Sequence, residues 1–278
     1  MTPQNQSDDQ EILRVKDLEV TYNKSGLGTH GVSLKVKQGE VVGLLGANGA
    51  GKTTTLRAIT GFLPSDFASV TAGTVTFKGE SLGRTSPHRR VGLGVALVPE
   101  RDKVFQKLTV QENLSAITHR RSRGREDELT SFVYDLFPAL HSRRKTSAGY
   151  LSGGERQMLG VARALMLSPD LLLADEVSLG IAPILVVKML DSLREINQRR
   201  GTSILIVEQN AAATFRVADY VYILETGRVA LEGTPEELRH RPDVREAYLG
   251  LGDVVELRRS SDPNHSSASI GRGQSEAR

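Results

Sequence analysis

The run Gly46-Ala47-Asn48-Gly49-Ala50-Gly51-Lys52-Thr53 limits the fold of this chain more than any other part of it. It has the P-loop pattern of a glycine, four free positions, then Gly-Lys-Thr. Val41-Val42-Gly43-Leu44-Leu45 before it reads as a buried strand, and Thr54 to Ile59 after it reads as a helix. A strand that turns through glycines into a helix is the setting this pattern needs. The glycines let the backbone curl until its N–H groups face inward, and the helix N-terminus adds partial positive charge. Lys52 can then reach β- and γ-phosphates, and the Thr53 hydroxyl can ligate Mg²⁺. The run therefore points to binding of a nucleoside triphosphate.

A second run narrows the reading. Leu151-Ser152-Gly153-Gly154-Glu155-Arg156-Gln157 precedes an apolar helical pattern of Met158, Leu159, Val161, Ala162, Leu165 and Met166. Ser152 and Glu155 have capping-box spacing, and the glycines leave the N–H groups of this helix start uncovered for an anion. Alone, this is an ordinary capped helix. Eighteen residues on from Gly153, however, Leu171-Leu172-Leu173-Ala174 forms an apolar strand that ends in Asp175-Glu176, the Walker B form. Asp175 at that position would hold Mg²⁺, directly or through water, and Glu176 would activate the attacking water.

This order of motifs resembles the nucleotide-binding domain of ABC ATPases, from about Leu13 to Gly252. The resemblance implies an α/β P-loop NTPase fold with a parallel core sheet, an antiparallel β edge subdomain and a helical subdomain over about 103–165. It places Tyr22 against adenine, and Gly46, Asn48, Gly49, Gly51, Lys52, Thr53 and Thr54 around the phosphates. Ser152, Gly153, Gly154 and Glu155 would close the ATP of a second subunit paired head to tail. Val98-Pro99-Glu100-Arg101, Leu108 to Leu114, Ser178 to Pro183 and Val207-Glu208-Gln209-Asn210-Ala211 are similar to the LivF type of ATP-binding subunit from branched-chain amino acid importers. Glu100 stands where most ABC domains have a glutamine, Gln209 where they have a histidine, and Ile181 where they have an aspartate. Val177 follows the two acids in place of the usual proline. Glu176, Gln209 and Glu100 are the implied catalytic residues, with Thr53 and Asp175 on Mg²⁺. The implied partners are a second, distinct ABC ATPase, two membrane permeases and, indirectly, a solute-binding protein, with no nucleic acid.

Composition agrees with a peripheral ATPase on the cytoplasmic face of the membrane. The 278 residues suffice for one large domain or two small lobes. There is no cysteine, hence no disulfide framework or thiol chemistry. The apolar runs fall far short of the roughly 20 residues of a membrane helix, and Met1 to Gln10 is polar, unlike a secretory signal. Net charge is only +3, so the basic clusters His119 to Arg125 and Arg143-Arg144-Lys145 are read as solvated surface.

Strands are expected over Ile12 to Tyr22, Val32 to Val36, Gly73 to Gly79, Gly94 to Val98 and Ser203 to Val207. Thr109 and Glu112 have capping-box spacing. Pro183 opens a helix ending near Arg200, with Gly201 as its C-cap. Thr226-Gly227 closes a hairpin, and Thr234-Pro235 opens a last short helix. Residues 1–11 and 253–278 are expected to be disordered tails. The competing readings are an ATPase subunit for urea or short amides, a soluble ABC ATPase acting on nucleic acid, a P-loop nucleotide kinase, and a non-hydrolysing ATP-binding scaffold. A kinase has no use for the Leu151-to-Glu155 run, and Glu176 argues against a scaffold.

Overall fold

Strands β1 (Glu11–Tyr22) and β2 (Gly26–Lys37) pair antiparallel, with Val15 opposite Leu34 and Leu18 opposite Val32. The apolar run β3 (Val41–Leu45) follows; all five of its residues are buried, as a strand covered on both faces requires. The computed structural model describes residues 10–23, 26–63, 68–101, 103–117 and 119–249. Then come α1 (Lys52–Thr60), β4 (Ala68–Phe77), β5 (Glu80–Ser81), α2 (Pro87–Leu93) and β6 (Val95–Val98). Helices dominate the next stretch: α3 (Val110–Ser115), α4 (Glu126–Leu136), α5 (Pro138–Ser142) and α6 (Gly153–Leu165). The chain continues through β7 (Leu171–Asp175), α7 (Pro183–Arg200), β8 (Ser203–Glu208), α8 (Ala211–Val217), β9 (Tyr220–Glu225), β10 (Arg228–Gly233) and α9 (Pro235–Arg239).

Two sheets result. One is antiparallel, in the order β2-β1-β4-β5; the other runs β10-β9-β3-β8-β7-β6 and is parallel apart from β10. Alternation along the parallel strands divides the core, because successive side chains point to opposite faces. Val95, Leu171, Leu173, Leu205 and Val207 pack with α1 and the antiparallel sheet. Ala96, Leu172, Ala174, Ile204 and Ile206 pack with α3 to α7. The strand ends at Val98, Asp175 and Glu208 thereby emerge beside the loop that follows β3.

Several boundaries differ from expectation. Glu11, assigned to the N-terminal tail, already pairs with Lys37 in the sheet. Residues 1–9 and the expected tail at 253–278 lie outside the described residues. β4 starts five residues before Gly73. That glycine sits within the strand where the β1 register slips; its φ is +84°, and a Cβ would lie 2.3 Å from Asp17 O. It therefore marks an irregularity and not a strand end. Helix α9 is not the last: short helical turns follow at Pro242–Val244 and Arg245–Leu249. The basic cluster is partly neutralised, with Arg121 on Asp170 at 2.6 Å and Arg125 on Glu128 at 2.9 Å.

Candidate functional site

The loop between β3 and α1 is held open by its glycines. Gly46 has φ +155° and a Cβ there would meet Leu224 O at 2.5 Å, so only hydrogen fits. Gly51 is the N-cap of α1, left-handed at φ +103°, and supplies no side-chain cap. The first turn of α1 carries no acid to compete with an anion at the N–H groups of the helix start. Lys52 is only 4 % exposed and lies back across the loop, donating to Gly46 O at 2.9 Å and Ala47 O at 3.2 Å. The ammonium is satisfied by these carbonyls and by Glu176 Oε1 at 3.3 Å.

Glu176 follows the end of β7 with φ +45°, a left-handed conformation uncommon outside glycine and worth notice at a site. Its N–H donates to Val207 O at 2.9 Å, which fixes the turn. Gln209 Nε2 donates to Glu176 Oε1 at 3.0 Å and to Asn48 Oδ1 at 2.8 Å. One polar chain therefore joins Asn48, Gln209, Glu176 and Lys52 across three separate loops. Asp175 Oδ1 is buried with no hydrogen-bond partner. Burial, then Glu176 and Glu100, push the Asp175 carboxyl up to about 6. Such an orphaned carboxylate oxygen fits a hard cation. Among the described residues no group of three His, Cys, Asp or Glu could cage a metal. Mg²⁺ is commonly held by one or two protein groups plus the substrate's phosphates.

These groups border a cleft of about 590 Å³, lined by Tyr22, Asn48, Lys52, Thr53, Glu100 and Gln209 among others. Gly49, Gly51, Thr54 and Glu176 line it too. The Tyr22 hydroxyl lies 3.0 Å from Thr54 Oγ1. A Cβ at Gly28 would sit 2.6 Å from the Tyr22 ring, so this glycine, not singled out from the sequence, gives the ring its place. Glu100 pairs with Arg101 at 3.0 Å. Glu208 also went unassigned in the sequence. It is buried at the end of β8, its carboxyl pushed up by burial, and it accepts from Ser178 N at 2.9 Å and Ser178 Oγ at 2.5 Å. It thus anchors the loop after the acid pair; an acid closing an apolar strand was the available signal.

Ser152, Gly153, Gly154 and Glu155 are not among the residues lining this cleft. Ser152 and Glu155 form a full capping box on α6. The Glu155 carboxylate accepts from Ser152 N at 2.8 Å and pairs with Arg143 at 2.7 Å. Its charge is engaged in holding the helix start.

Residues 29–178 match the ABC transporter family. The chain belongs to that family. Residues 228–254 further match the branched-chain amino acid ATP-binding cassette transporter family. Among ABC relatives, the high-affinity branched-chain amino acid transport ATP-binding protein BraG of Pseudomonas aeruginosa is 40 % identical, over 83 % of this chain and 96 % of the relative. The probable branched-chain amino acid transport ATP-binding protein LivF of Archaeoglobus fulgidus is 34 % identical, over 87 % of this chain and all of the relative. The lipopolysaccharide export system ATP-binding protein LptB of Haemophilus influenzae is 35 % identical, over 86 % of this chain and 97 % of the relative. The ADP conformation of an ABC transporter's ATP-binding cassette superposes with TM-score 0.73 at 27 % identity, over 87 % of this chain and 99 % of the other. A nucleotide-free cassette gives 0.72 at 26 %, over 87 % and 100 %. The chain is an ABC ATPase, an enzyme that hydrolyses ATP to drive transport.

The raised Asp175 carboxyl gives a pH-dependent result for this ABC subunit. A carboxyl whose folded pKa lies above its unfolded value opposes folding once ionised, so its cost grows from about pH 4 to about pH 6 and is constant above. Asp175→Asn is expected to raise the melting temperature of the nucleotide-free protein at pH 7–8, and the gain is expected to vanish as pH approaches about 4. A gain that persists unchanged at low pH would place the destabilisation elsewhere.

Proposed function

We propose that the chain is the ATP-hydrolysing subunit of an importer for branched-chain amino acids, working peripherally on the cytoplasmic face of the membrane. The match of residues 228–254 to the branched-chain transporter family carries the choice of solute, and the BraG and LivF relatives support it. No described helix is long and apolar enough to cross a membrane; in this reading the translocation path belongs to partner permeases. We take 12–252 as one ATPase domain, with the helical part at about 103–165 turned toward those permeases. Phe105 and Tyr150 are exposed there, at 49 % and 83 %, as a docking face requires.

In this reading adenine stacks on Tyr22, while Gly49, Gly51 and the bare start of α1 receive the phosphates. Lys52 exchanges its loop carbonyls for β- and γ-phosphate oxygens. Thr53 and Asp175 would hold Mg²⁺, which neutralises charge on the β- and γ-phosphates. Glu176, aligned by Gln209, takes a proton from water as its oxygen attacks the γ-phosphorus; the bond to the bridging oxygen breaks and ADP leaves. Ser152, Gly153 and Gly154 close the ATP of a second, distinct ABC ATPase. Two permeases and a solute-binding protein complete the importer.

Pull-down from detergent-solubilised membranes tests this assignment: permeases are expected, and ribosomes or DNA in their place would contradict it. The lipopolysaccharide-export and urea or short-amide alternatives are separated by which solute the complex moves.

This chain's own cleft is expected to turn over more slowly than the partner's. Gln209 cannot carry a positive charge as histidine can, and Glu100 adds negative charge where the transition state already spreads it. In a reconstituted complex, mutating the partner's P-loop lysine is expected to cost more turnover than Lys52→Ala here. The reverse order would refute the asymmetry.

A further inference from the structure

The segment leaving the cleft at Glu100 is locked to α6 within three residues. The Lys103 side chain runs along a slot on that helix and its ammonium donates to Gln157 Oε1. The slot exists because residue 160 is glycine: a Cβ there would lie 2.9 Å from Lys103 Cδ and 3.0 Å from Cγ. Gln157, 5 % exposed, passes the contact on, its Nε2 donating to Leu179 O at 3.3 Å in the loop beyond Glu176. From the other side, Arg163 Nη1 donates to Lys103 O at 2.5 Å, and the Arg163 guanidinium lies 4.2 Å from the centre of the Phe105 ring. Asn113 brackets Phe105, accepting from its N–H at 2.8 Å and donating to its carbonyl at 3.0 Å. Residues 100 and 101 line the cleft, while 103 and 105 are held by α3 and α6.

A lysine is a costly way to fill a partly buried slot. Removing an ammonium from water is unfavourable, and an unbranched apolar side chain would fill the same space without that loss. The charges acting favourably on this ammonium are Glu100, Asp175 and Glu208, the acids around the hydrolytic end of the cleft. Its one side-chain bond is to Gln157 on α6, and through Gln157 it reaches the Leu179 loop.

We infer that Lys103 is a positioning residue that couples the two nucleotide sites, by tying the Glu100 segment of this chain's cleft to α6 and to the Leu179 loop. Loading of the cleft shifts Glu100; Lys103 and Gln157 carry that shift to α6, whose N-terminal Ser152 and Gly153 face the nucleotide on the partner subunit. The inference rests on the two-subunit ATPase proposed above.

Lys103→Met in the complete complex tests it. The expected result is a kcat lowered roughly 10–100-fold, the range of a site-to-site coupling, with the Hill coefficient for ATP reduced from above 1 to about 1. KM and the affinity of the isolated chain for a fluorescent ATP analogue are expected to stay within about twofold, and the melting temperature is expected not to fall. Gly160→Ala, which keeps the ammonium but crowds its slot, is expected to lower the Hill coefficient in the same direction. An unchanged kcat and Hill coefficient in Lys103→Met overturns the inference, as does a loss of turnover matched by a loss of stability or of ATP affinity. Glu176→Gln assayed alongside separates the two claims. If that variant is inactive while Lys103→Met is normal, the ATPase reading stands and the coupling role falls.

Discussion

Lys52→Ala is expected to abolish tight ATP binding. The ammonium is poised over the phosphate loop, 2.9 Å from Gly46 O and 3.3 Å from Glu176 Oε1. In the proposed reading it would trade these for β- and γ-phosphate oxygens on nucleotide binding. Two charge-assisted contacts of about 1.5–3 kcal/mol each correspond to roughly 10²–10⁴ in Kd. The alanine variant also leaves Glu176 buried beside Asp175 with its cation gone, which adds repulsion toward an anionic ligand. A filter or fluorescence titration measures the effect. An affinity within a few-fold of wild type would sink the assignment of the loop as the phosphate site.

Glu176→Gln is expected to separate binding from chemistry. The amide keeps the side chain's shape and an oxygen for Gln209 to donate to, and Asp175 remains for the metal. The proposed general base is lost, so hydrolysis in this chain's own cleft is expected to fall roughly 10²–10⁴ with ATP binding retained. The ATP-bound pair of subunits then accumulates and elutes as a larger species in size exclusion. Turnover near wild type would show that another group takes the proton.

The elements readable in the sequence are those set by local chemistry. Gly51 before Lys52, the capping boxes at Thr109/Glu112 and Ser152/Glu155, Thr234-Pro235 at the start of α9, and Pro183 with Gly201 around α7 all act within a few residues. The acid pair after β7 was legible because a buried apolar run must end where charge begins. What stayed hidden depends on partners far along the chain. The length of β4 is set by pairing with β1 far earlier in the chain, so from sequence alone Gly73 reads as a boundary. Helices α2 and α8 went unread although Ser86 and Asn210 cap them, because each spans only seven residues and shows little periodicity. Glu208 could be seen as an acid closing a strand, but its partner Ser178 could not. The Lys103–Gln157 contact joins residues whose pairing only the fold decides.

The most direct measurement is solute uptake by proteoliposomes that contain the permeases, this chain and its partner ATPase, supplied with the binding protein and ATP. Labelled leucine, isoleucine or valine is expected to accumulate only with ATP, and Glu176→Gln is expected to stop accumulation while ATP stays bound. ATP hydrolysis without branched-chain uptake, or uptake indifferent to Glu176→Gln, would contradict the account.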